Sequence, residues 1–285
     1  MIGEYMKTLF LEAPYTGKVE LCKETLDYLT KQEKNNKIIK TVALYASVQF
    51  CNQLEKIKQQ LQEAKIKIIT SQARRTHVEG QLLGCDNDKE ALNLPEEQWK
   101  EIDAFLYIGD GRFHPLALIF AQKDTLEEEI KIEEKKERKR KKDRKDDDDN
   151  GNQLKSIKEV ICNDPMAEKM KVMAANDIKK LLQKYWAFYL KFLTAQSVGV
   201  IVTIKPGQQQ LRASFELEKK FPDKKFYYFI DNVISFDQLE NFPFIQAWIN
   251  TACPRIGFDD QEKFVRGVIN LRDAMSENVF HLQNL

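Results

Sequence analysis

The chain has 285 residues, of which 42% are hydrophobic, and this is enough material for two ordinary domains with a core each. Its 45 basic and 44 acidic residues nearly cancel, so the net charge of +1 matters less than the way the charges cluster along the chain. No run approaches the roughly 18 apolar residues that cross a bilayer, and residues 1–10 lack a basic segment followed by an apolar one. We therefore expect a cytoplasmic protein with no membrane contact.

Strands and helices alternate in the first part of the chain. Runs of apolar and β-branched residues predict strands at 38–46, 66–69 and 104–108. A helix at 48–61 and a short polar helix or turn at 86–99 separate them. Strands that alternate with helices build a parallel sheet covered on both faces, so we predict an α/β domain.

A charged stretch follows at residues 123–150, where Lys, Arg, Glu and Asp fill almost every position. Such a composition cannot bury a core, so we predict a solvated insertion. Glu127 with Lys131 and Glu134 with Arg138 are spaced as i,i+4 ion pairs and favour a helix over 125–142, whereas the aspartates at 146–149 predict disorder. Because acidic residues cancel the basic ones and no aromatic residues are interleaved, a solvated segment is favoured over a nucleic-acid contact.

The second part of the chain repeats the alternation. We predict a strand at 160–162 and a long helical stretch that opens at Asp164 and Pro165. Further strands are predicted at 198–204, 225–230 and 245–250, and further helices at 208–221 and 261–274. The predicted fold class is therefore α/β, with two similar parallel-sheet domains at 1–122 and 158–285 and a charged, partly disordered insertion at 123–157.

The five cysteines favour free thiols or metal ligands over disulfides. They are odd in number, widely spaced, and lie in a chain too large to need covalent staples. No C-x-x-C pair occurs, which argues against a ribbon-type zinc site, so any metal must be held by cysteines that the fold brings together. In each half a loop carries a cysteine after a small residue, at Gly84-Cys85 and Ala252-Cys253, which is a weak indication of a duplicated domain.

Three loops follow predicted strands and are candidates for ligand binding, because amide donors converge at the carboxyl ends of parallel strands. The loop at 109–115 has two glycines and carries Arg112 and His114, and an ordinary strand-to-helix turn is the competing interpretation. The loop at 205–208 ends in Gln208, and a simple helix start is its alternative.

The third loop carries Cys253, followed by Pro254 and Arg255. A buried structural thiol is the commoner outcome for a free cysteine, which packs as a small hydrophobe. Arg255 instead favours the thiolate and suits a carboxylate through a bidentate pair.

Four segments, in this order, resemble the diphthamide synthase family. They are Gly80-Gln81-Leu82-Leu83-Gly84-Cys85, Gly109-Asp110-Gly111-Arg112-Phe113-His114-Pro115, Lys205-Pro206-Gly207-Gln208 and Ala252-Cys253-Pro254-Arg255. The resemblance covers about residues 7–260 without the charged stretch. It likens residues 1–122 to the family's second domain and 158–285 to its third.

The resemblance implies a cofactor and a reaction. In that family three α/β domains each contribute one cysteine to a 4Fe-4S cluster, and an open iron site binds S-adenosylmethionine. The family transfers a 3-amino-3-carboxypropyl group from S-adenosylmethionine to a histidine of translation elongation factor 2, using an electron donor. By this resemblance Cys85 and Cys253 are metal ligands, Gln208 and Arg255 hold the methionyl amino and carboxylate ends, and His114 shapes the cofactor site.

The chain departs from the family in one respect, because no segment matches the family's first domain or its cysteine. Neither Cys22 nor Cys51 lies in a matching motif, and Cys51 is better interpreted as a packed thiol than as one that reaches the sheet edge. Three accounts follow. A separate or paired synthase subunit supplies the first domain and the complex is a transferase; or the chain is a noncatalytic subunit or assembly partner; or it is a binding module of another kind. Retention of Cys85, Cys253, Gln208 and Arg255 favours the first.

Overall fold

The computed structural model describes residues 13–30, 39–111, 113–141, 156–205 and 208–276, with side chains left out at 133–141, 259 and 262. The described residues form two compact units. The first contains those up to Leu83 together with Glu90–Gly111 and Val160–Val172, and the second contains Gly84–Lys89, those between 112 and 159, and those from Met173 onward.

The first unit is built on a five-stranded sheet. Its elements are α1 (Lys23–Thr30), β1 (Thr41–Ala46), α2 (Leu54–Glu63), β2 (Lys67–Ile69), α3 (Glu96–Glu101), β3 (Ala104–Ile108), β4 (Glu159–Asp164) and β5 (Lys169–Met173). The sheet order is β2-β1-β3-β4-β5, and β1 pairs in parallel with β2 and with β3. Every residue of β1 and β3 is buried, as expected for strands covered on both faces.

The second unit is built on a four-stranded parallel sheet. Its elements are α4 (Phe113–Phe120), α5 (Lys123–Lys141), α6 (Ala175–Thr194), β6 (Ser197–Thr203), α7 (Leu211–Ser214), α8 (Glu216–Lys220), β7 (Lys225–Asp231), α9 (Phe236–Leu239), β8 (Ala247–Asn250), α10 (Arg255–Asp259), β9 (Val268–Asn270) and α11 (Leu271–Met275). The sheet order is β7-β6-β8-β9, with each neighbouring pair parallel.

The two sheets share a strand order. In each, the first strand in sequence lies between the second and the third, as β2-β1-β3 and as β7-β6-β8. The predicted fold class of two similar α/β units with parallel sheets is therefore confirmed. Among the described helices none has the length and hydropathy needed to cross a membrane.

The predicted helix start at Asp164 and Pro165 is wrong. Residues 165–168 form a turn, which joins the neighbouring strands β4 and β5 as a hairpin. The Asp164 carboxylate accepts hydrogen bonds from the backbone amides of Met166 (2.9 Å) and Ala167 (3.0 Å), and Glu168 has a φ of 50°. An Asp side chain that bonds the next amides stabilises a turn as readily as a helix start, and here the turn forms. The long helix begins later, at Ala175.

The predicted closing helix at 261–274 is also wrong. Gly267 has a φ of 81°, and the three residues after it, Val268–Asn270, form the buried strand β9. The short helix α11 follows. The helix predicted at 208–221 is likewise divided into α7 and α8. A short apolar run cannot be assigned to strand or helix by periodicity alone, which explains the error at β9.

The charged stretch is helical over Lys123–Lys141, and the predicted i,i+4 pair of Glu127 and Lys131 forms. Its beginning is not a solvated insertion, however, because Lys123 and Leu126 are buried in the second unit. Glu129 is also buried there, accepting a bond from the Ile157 amide at 3.1 Å and pairing with Lys179 at 3.1 Å. The side chains of Glu134 and Arg138 and the aspartates at 146–149 lie outside the described residues.

The boundaries of the units differ from the consecutive domains predicted from the sequence. The hairpin Val160–Val172 belongs to the first unit, while Gly84–Lys89 and the helices α4 and α5 belong to the second. Strand pairing explains the first exchange, because β4 adds to the sheet beside β3. The correspondence of residues 1–122 and 158–285 to individual family domains stays a prediction.

Candidate functional site

The loop that carries Cys85 is closely packed against α4. A Cβ atom at Gly84 would lie 2.2 Å from Cζ of Phe113, so any larger residue here would displace the Phe113 ring. Cys85 is a half-buried free thiol, and residues 86–88 after it are buried. Cys85 therefore directly follows the residue that packs on the aromatic ring at the start of α4.

A charged pair anchors the far end of the same loop. The Arg272 guanidinium on α11 meets both carboxylate oxygens of Asp88, at 2.9 Å (Nη2 to Oδ1) and 2.6 Å (Nη1 to Oδ2). One charged hydrogen bond, from Nη2 to Oδ1, and a second ionic contact, between Nη1 and Oδ2, join the two side chains. The Cys85 loop is thus held at Gly84 by shape and at Asp88 by charge.

Phe113 also contacts the loop that carries Cys253. The guanidinium carbon of Arg255, the first residue of α10, lies 4.8 Å from the centre of the Phe113 ring. The His114 ring lies 5.0 Å from the same ring, tilted by 53°, and is half-buried. A cation over a ring face is held by the ring's quadrupole, which gives an exposed arginine a defined position.

Asparagine side chains at two strand ends hold the Cys253 loop. Cys253 follows β8, and its carbonyl accepts hydrogen bonds from the Asn250 side chain (2.8 Å) and the Ile256 amide (3.0 Å). The Asn250 amide also donates to Oδ1 of Asn270, at the end of β9, at 2.7 Å. Asn270 in turn donates its side-chain amide to the Pro254 carbonyl at 3.2 Å. Cys253 itself is a half-buried free thiol.

A buried ionic and aromatic cluster lies behind this loop. Lys123 forms an ion pair with one carboxylate oxygen of Asp273, and the other oxygen accepts a hydrogen bond from the Tyr185 hydroxyl. The same hydroxyl accepts a hydrogen bond from the backbone amide of Asn270 at 2.9 Å. Burial and the Asp273 charge raise the pKa of Tyr185 well above its usual range, so the hydroxyl stays protonated and donates. Phe258 of α10 stacks on the ring of Phe120, with 3.6 Å between the ring centres. The cluster therefore supports the short helix that begins with Arg255.

The structure thus brings together most, but not all, of the residues predicted for the site. The Cys85 loop and Arg255 share one aromatic ring within a single compact unit, and Cys253 is two residues from Arg255. Gln208 follows β6, which runs parallel beside β8, so it lies at the same sheet edge, but it is exposed. Arg112 lies outside the described residues.

The donor set suits thiolate-bound iron but supplies too few ligands. Iron–sulfur clusters are held by cysteine thiolates, and Cys85 and Cys253 are two free cysteines on segments that both contact Phe113. Among the described residues, no group of three His, Cys, Asp or Glu side chains is close enough to hold a metal ion. The residues therefore fit part of a cluster site, short of its third thiolate.

The other three cysteines belong to the first unit and are engaged there. The Cys51 thiol donates to the Ser47 carbonyl at 3.3 Å and packs on the core of that unit, as predicted for a packed thiol. The Cys22 sulfur lies 3.2 Å from the Thr25 hydroxyl. Cys162 lies on β4, where burial raises the pKa of its thiol to about 12. A thiol that stays protonated is a poor metal ligand and nucleophile.

Sequence reasoning missed the residues that support the two loops. Phe113 lies in the motif at 109–115 without a distinguishing pattern of its own, and no local pattern marks Asp88, Arg272 or Asp273. The pairs Asp88 with Arg272 and Lys123 with Asp273 join positions more than a hundred residues apart, so no local spacing reveals them. Gly84 beside a cysteine was the one local signal of close packing.

Proteins of known structure and name are similar to this chain in fold and in sequence. The chain is 26% identical to 2-(3-amino-3-carboxypropyl)histidine synthase of Pyrococcus horikoshii, over 94% of this chain and 64% of that protein. It is 27% identical to the synthase of the same name from Methanocaldococcus jannaschii, over 56% of this chain and 38% of that protein. Its fold is similar to the crystal structure of Dph2 from Pyrococcus horikoshii, with a TM-score of 0.56 at 21% identity, covering 86% of this chain and 59% of the other.

A second crystal structure of that Dph2, with a 4Fe-4S cluster, gives a TM-score of 0.55 at 21% identity, covering 84% of this chain and 57% of the other. The chain thus spans less than two thirds of the length of these proteins. The model of the diphthamide synthesis protein family matches residues 4–147 and 151–276. The chain belongs to this family.

Proposed function

We propose that this protein takes part in the first step of diphthamide biosynthesis. In this step a 3-amino-3-carboxypropyl group moves from S-adenosylmethionine to a histidine of translation elongation factor 2, in an iron–sulfur-dependent reaction. Family membership supports the role in diphthamide biosynthesis. The observation that carries the chemistry is the meeting of the Cys85 loop and Arg255, beside Cys253, on the ring of Phe113.

Cys85 and Cys253 are the proposed iron ligands. Both are half-buried free thiols of the second unit. Arg255 lies two residues after Cys253, at the start of α10. When bound, a 4Fe-4S cluster supplies the electron with which the carbon–sulfur bond of S-adenosylmethionine is cleaved.

Arg255 is the proposed clamp for the methionyl carboxylate. Its stacking on Phe113 holds the guanidinium in one plane, and a planar fork matches a carboxylate. Gln208 follows β6 at the same sheet edge, and it is proposed to bind the methionyl amino group. His114, against Phe113, is proposed to shape the pocket rather than to take part in a chemical step.

The proposed partners are a subunit that supplies the missing thiolate, the elongation factor and an electron donor. Eukaryotic relatives include proteins named subunit 1 of the synthase, such as that of Eremothecium gossypii, which is 26% identical over 82% of this chain. Of the five described cysteines, two, Cys85 and Cys253, lie at the candidate site. This is one fewer than a three-cysteine cluster site needs. The same shortage favours the second candidate, a noncatalytic subunit of a synthase complex.

Transfer of label to the elongation factor separates these candidates. The protein is reconstituted anaerobically with iron and sulfide, reduced with dithionite, and incubated with elongation factor 2 and S-adenosylmethionine labelled in its methionyl carbons. The reaction is run with and without a synthase subunit that carries the first-domain cysteine. Labelled elongation factor that appears only with both proteins present, and is lost in Cys85→Ser and Cys253→Ser, supports the transferase.

Two results would favour other conclusions. If the partner transfers the label without this chain, and if adding the Cys85→Ser variant gives the same transfer as adding the wild-type protein, this chain is a noncatalytic subunit. If no iron binds and the partner neither associates with this protein nor gains activity from it, the proposed function is wrong. Cys51→Ala, in the first unit, is the matched control and should leave transfer unchanged.

A further inference from the structure

Two adjacent residues of α11 connect to the two cysteine loops by separate routes. Arg272 reaches the Cys85 loop directly through Asp88. Asp273 reaches the Cys253 loop through Tyr185 and Asn270. The Arg272 side chain is half-exposed and pairs with Asp88. The Asp273 side chain is buried in the interior of the unit and pairs with Lys123.

The route from Asp273 is buried along its length. Asp273 is 3% exposed, Tyr185 1% and Asn270 5%. The Tyr185 hydroxyl donates to Asp273 and accepts from the Asn270 amide, so it fixes the backbone at the end of β9. The Asn270 side chain then bonds the Pro254 carbonyl and Asn250, both of which adjoin Cys253. Buried polar chains with every member bonded are rigid, because each unmade bond costs its full desolvation.

The route from Arg272 is short and geometrically specific. Asp88 is 7% exposed and lies three residues after Cys85, so its carboxylate needs a partner. Arg272 supplies one hydrogen bond at 2.9 Å and an ionic contact at 2.6 Å. Since Gly84 fixes the other end of this loop against Phe113, Cys85 lies between two fixed points.

We propose that Arg272 and Asp273 form a positioning pair that sets the relative placement of the two cysteine thiols. Arg272 holds the Cys85 loop and Asp273 holds the Cys253 loop, so a single short helix determines how far apart the thiols lie. The pair touches no ligand itself. The inference rests on the proposed function only in naming the two thiols as iron ligands, since the placement is a property of the iron-free protein.

The two routes can be cut separately. Arg272→Gln removes the charged donors from Asp88, and Tyr185→Phe removes one hydroxyl from the other route while it keeps the ring. Each variant of the full-length, iron-free protein is alkylated with iodoacetamide under native conditions, and the rate at each cysteine is measured by mass spectrometry. We expect Arg272→Gln to speed alkylation of Cys85 with Cys253 unchanged, and Tyr185→Phe to do the reverse.

Control variants and a rescue make the pattern specific. Arg266→Gln and Tyr228→Phe remove polar groups that bond elsewhere in the same unit, and they should change neither rate. Asp88→Asn should reproduce Arg272→Gln, and the double variant should add nothing, because both cut one contact. Arg272→Lys, which keeps the charge, should recover part of the slow Cys85 rate.

Cys162 is buried in the first unit and reports the opening of that unit. Faster alkylation of Cys85 and Cys253 together in each single variant, with or without Cys162, would mean that the variants only destabilise the protein, and the positioning pair would be wrong. Unchanged rates at both loops would also overturn it. If the crossed pattern appears but the wild-type protein binds no iron, the positioning stands and the proposed function fails.

Discussion

The two units use one strand order but differ at their carboxyl edges. At the edge of the first unit, the Cys51 thiol donates a hydrogen bond to the Ser47 carbonyl. Tyr107 is fully buried there, and burial raises the pKa of its hydroxyl. At the edge of the second unit, two half-buried cysteine loops meet Phe113, and Arg255 lies exposed above that ring. The same topology thus provides one packed edge and one edge with accessible thiols.

This difference indicates that the strand order alone does not create the candidate site. The residues that hold the two cysteine loops in place distinguish the second unit. In the second unit the interior contains a charged pair, Lys123 with Asp273. Replacing a buried ion pair by apolar residues is often neutral or stabilising, so such a pair is weak evidence for stability. Here it lies behind the Cys253 loop, which fits a role in placement.

The largest expected effect tests this buried support. Lys123→Met should lower the free energy of unfolding by about 3–5 kcal/mol, because it leaves Asp273 buried without its cation. Lys131→Met, on the same helix, should cost only about 0–1 kcal/mol, because Lys131 is 51% exposed. Chemical denaturation of both variants provides the measurement. Equal costs would show that the second unit does not depend on its interior charge.

The next effect concerns the accessible edge itself. In the reconstituted protein, Arg255→Ala should weaken binding of S-adenosylmethionine by about 10- to 100-fold, the worth of one charged hydrogen-bonded contact. Arg74→Ala, at an exposed position of the first unit, should have no effect. Isothermal titration under anaerobic conditions measures both. Unchanged affinity for Arg255→Ala would remove it from the cofactor site.

Close packing of the Cys85 loop gives a smaller effect. Gly84→Ala should cost about 1–3 kcal/mol, since the new methyl group would overlap Phe113 and force it to move. Adding Phe113→Leu should remove much of that cost, because the smaller side chain leaves room. A denaturation-based double-mutant cycle measures the coupling. Additive costs would mean that Phe113 does not hold the loop.

The smallest effect is a pH dependence from the packed edge. Burial raises the pKa of Cys162 to about 12 from a usual 9, so between these values the unfolded chain loses the proton that the folded protein keeps. Stability from this group is complete below pH 9 and is lost as the pH rises toward 12, by at most about 1.4 kcal/mol per pH unit. Cys162→Val should flatten the alkaline decline, measured as the difference between the two proteins. Identical declines would contradict the raised pKa.

Local patterns in the sequence predicted the α/β class and most of the strands, whereas the roles of the candidate site residues come from the family resemblance and stay a prediction. Continuous apolar runs such as 104–108 are strong signals, because a parallel strand is buried on both faces. The errors lie where local chemistry is ambiguous, as at Asp164, or where a strand has three residues, as at β9. The support of the loops by Arg272 and Asp273 depends on contacts between distant positions, which one sequence does not reveal.

The most direct test of the central claim compares the two edges as iron sites. The wild-type protein, a Cys85→Ser/Cys253→Ser variant and a Cys51→Ala/Cys162→Ala variant are reconstituted anaerobically with the first-domain partner, and bound iron is quantified with Mössbauer spectra of the clusters. We predict a 4Fe-4S signal in the wild-type and Cys51→Ala/Cys162→Ala proteins and its loss in Cys85→Ser/Cys253→Ser. A full signal without Cys85 and Cys253, or its dependence on Cys51 and Cys162, would contradict the account.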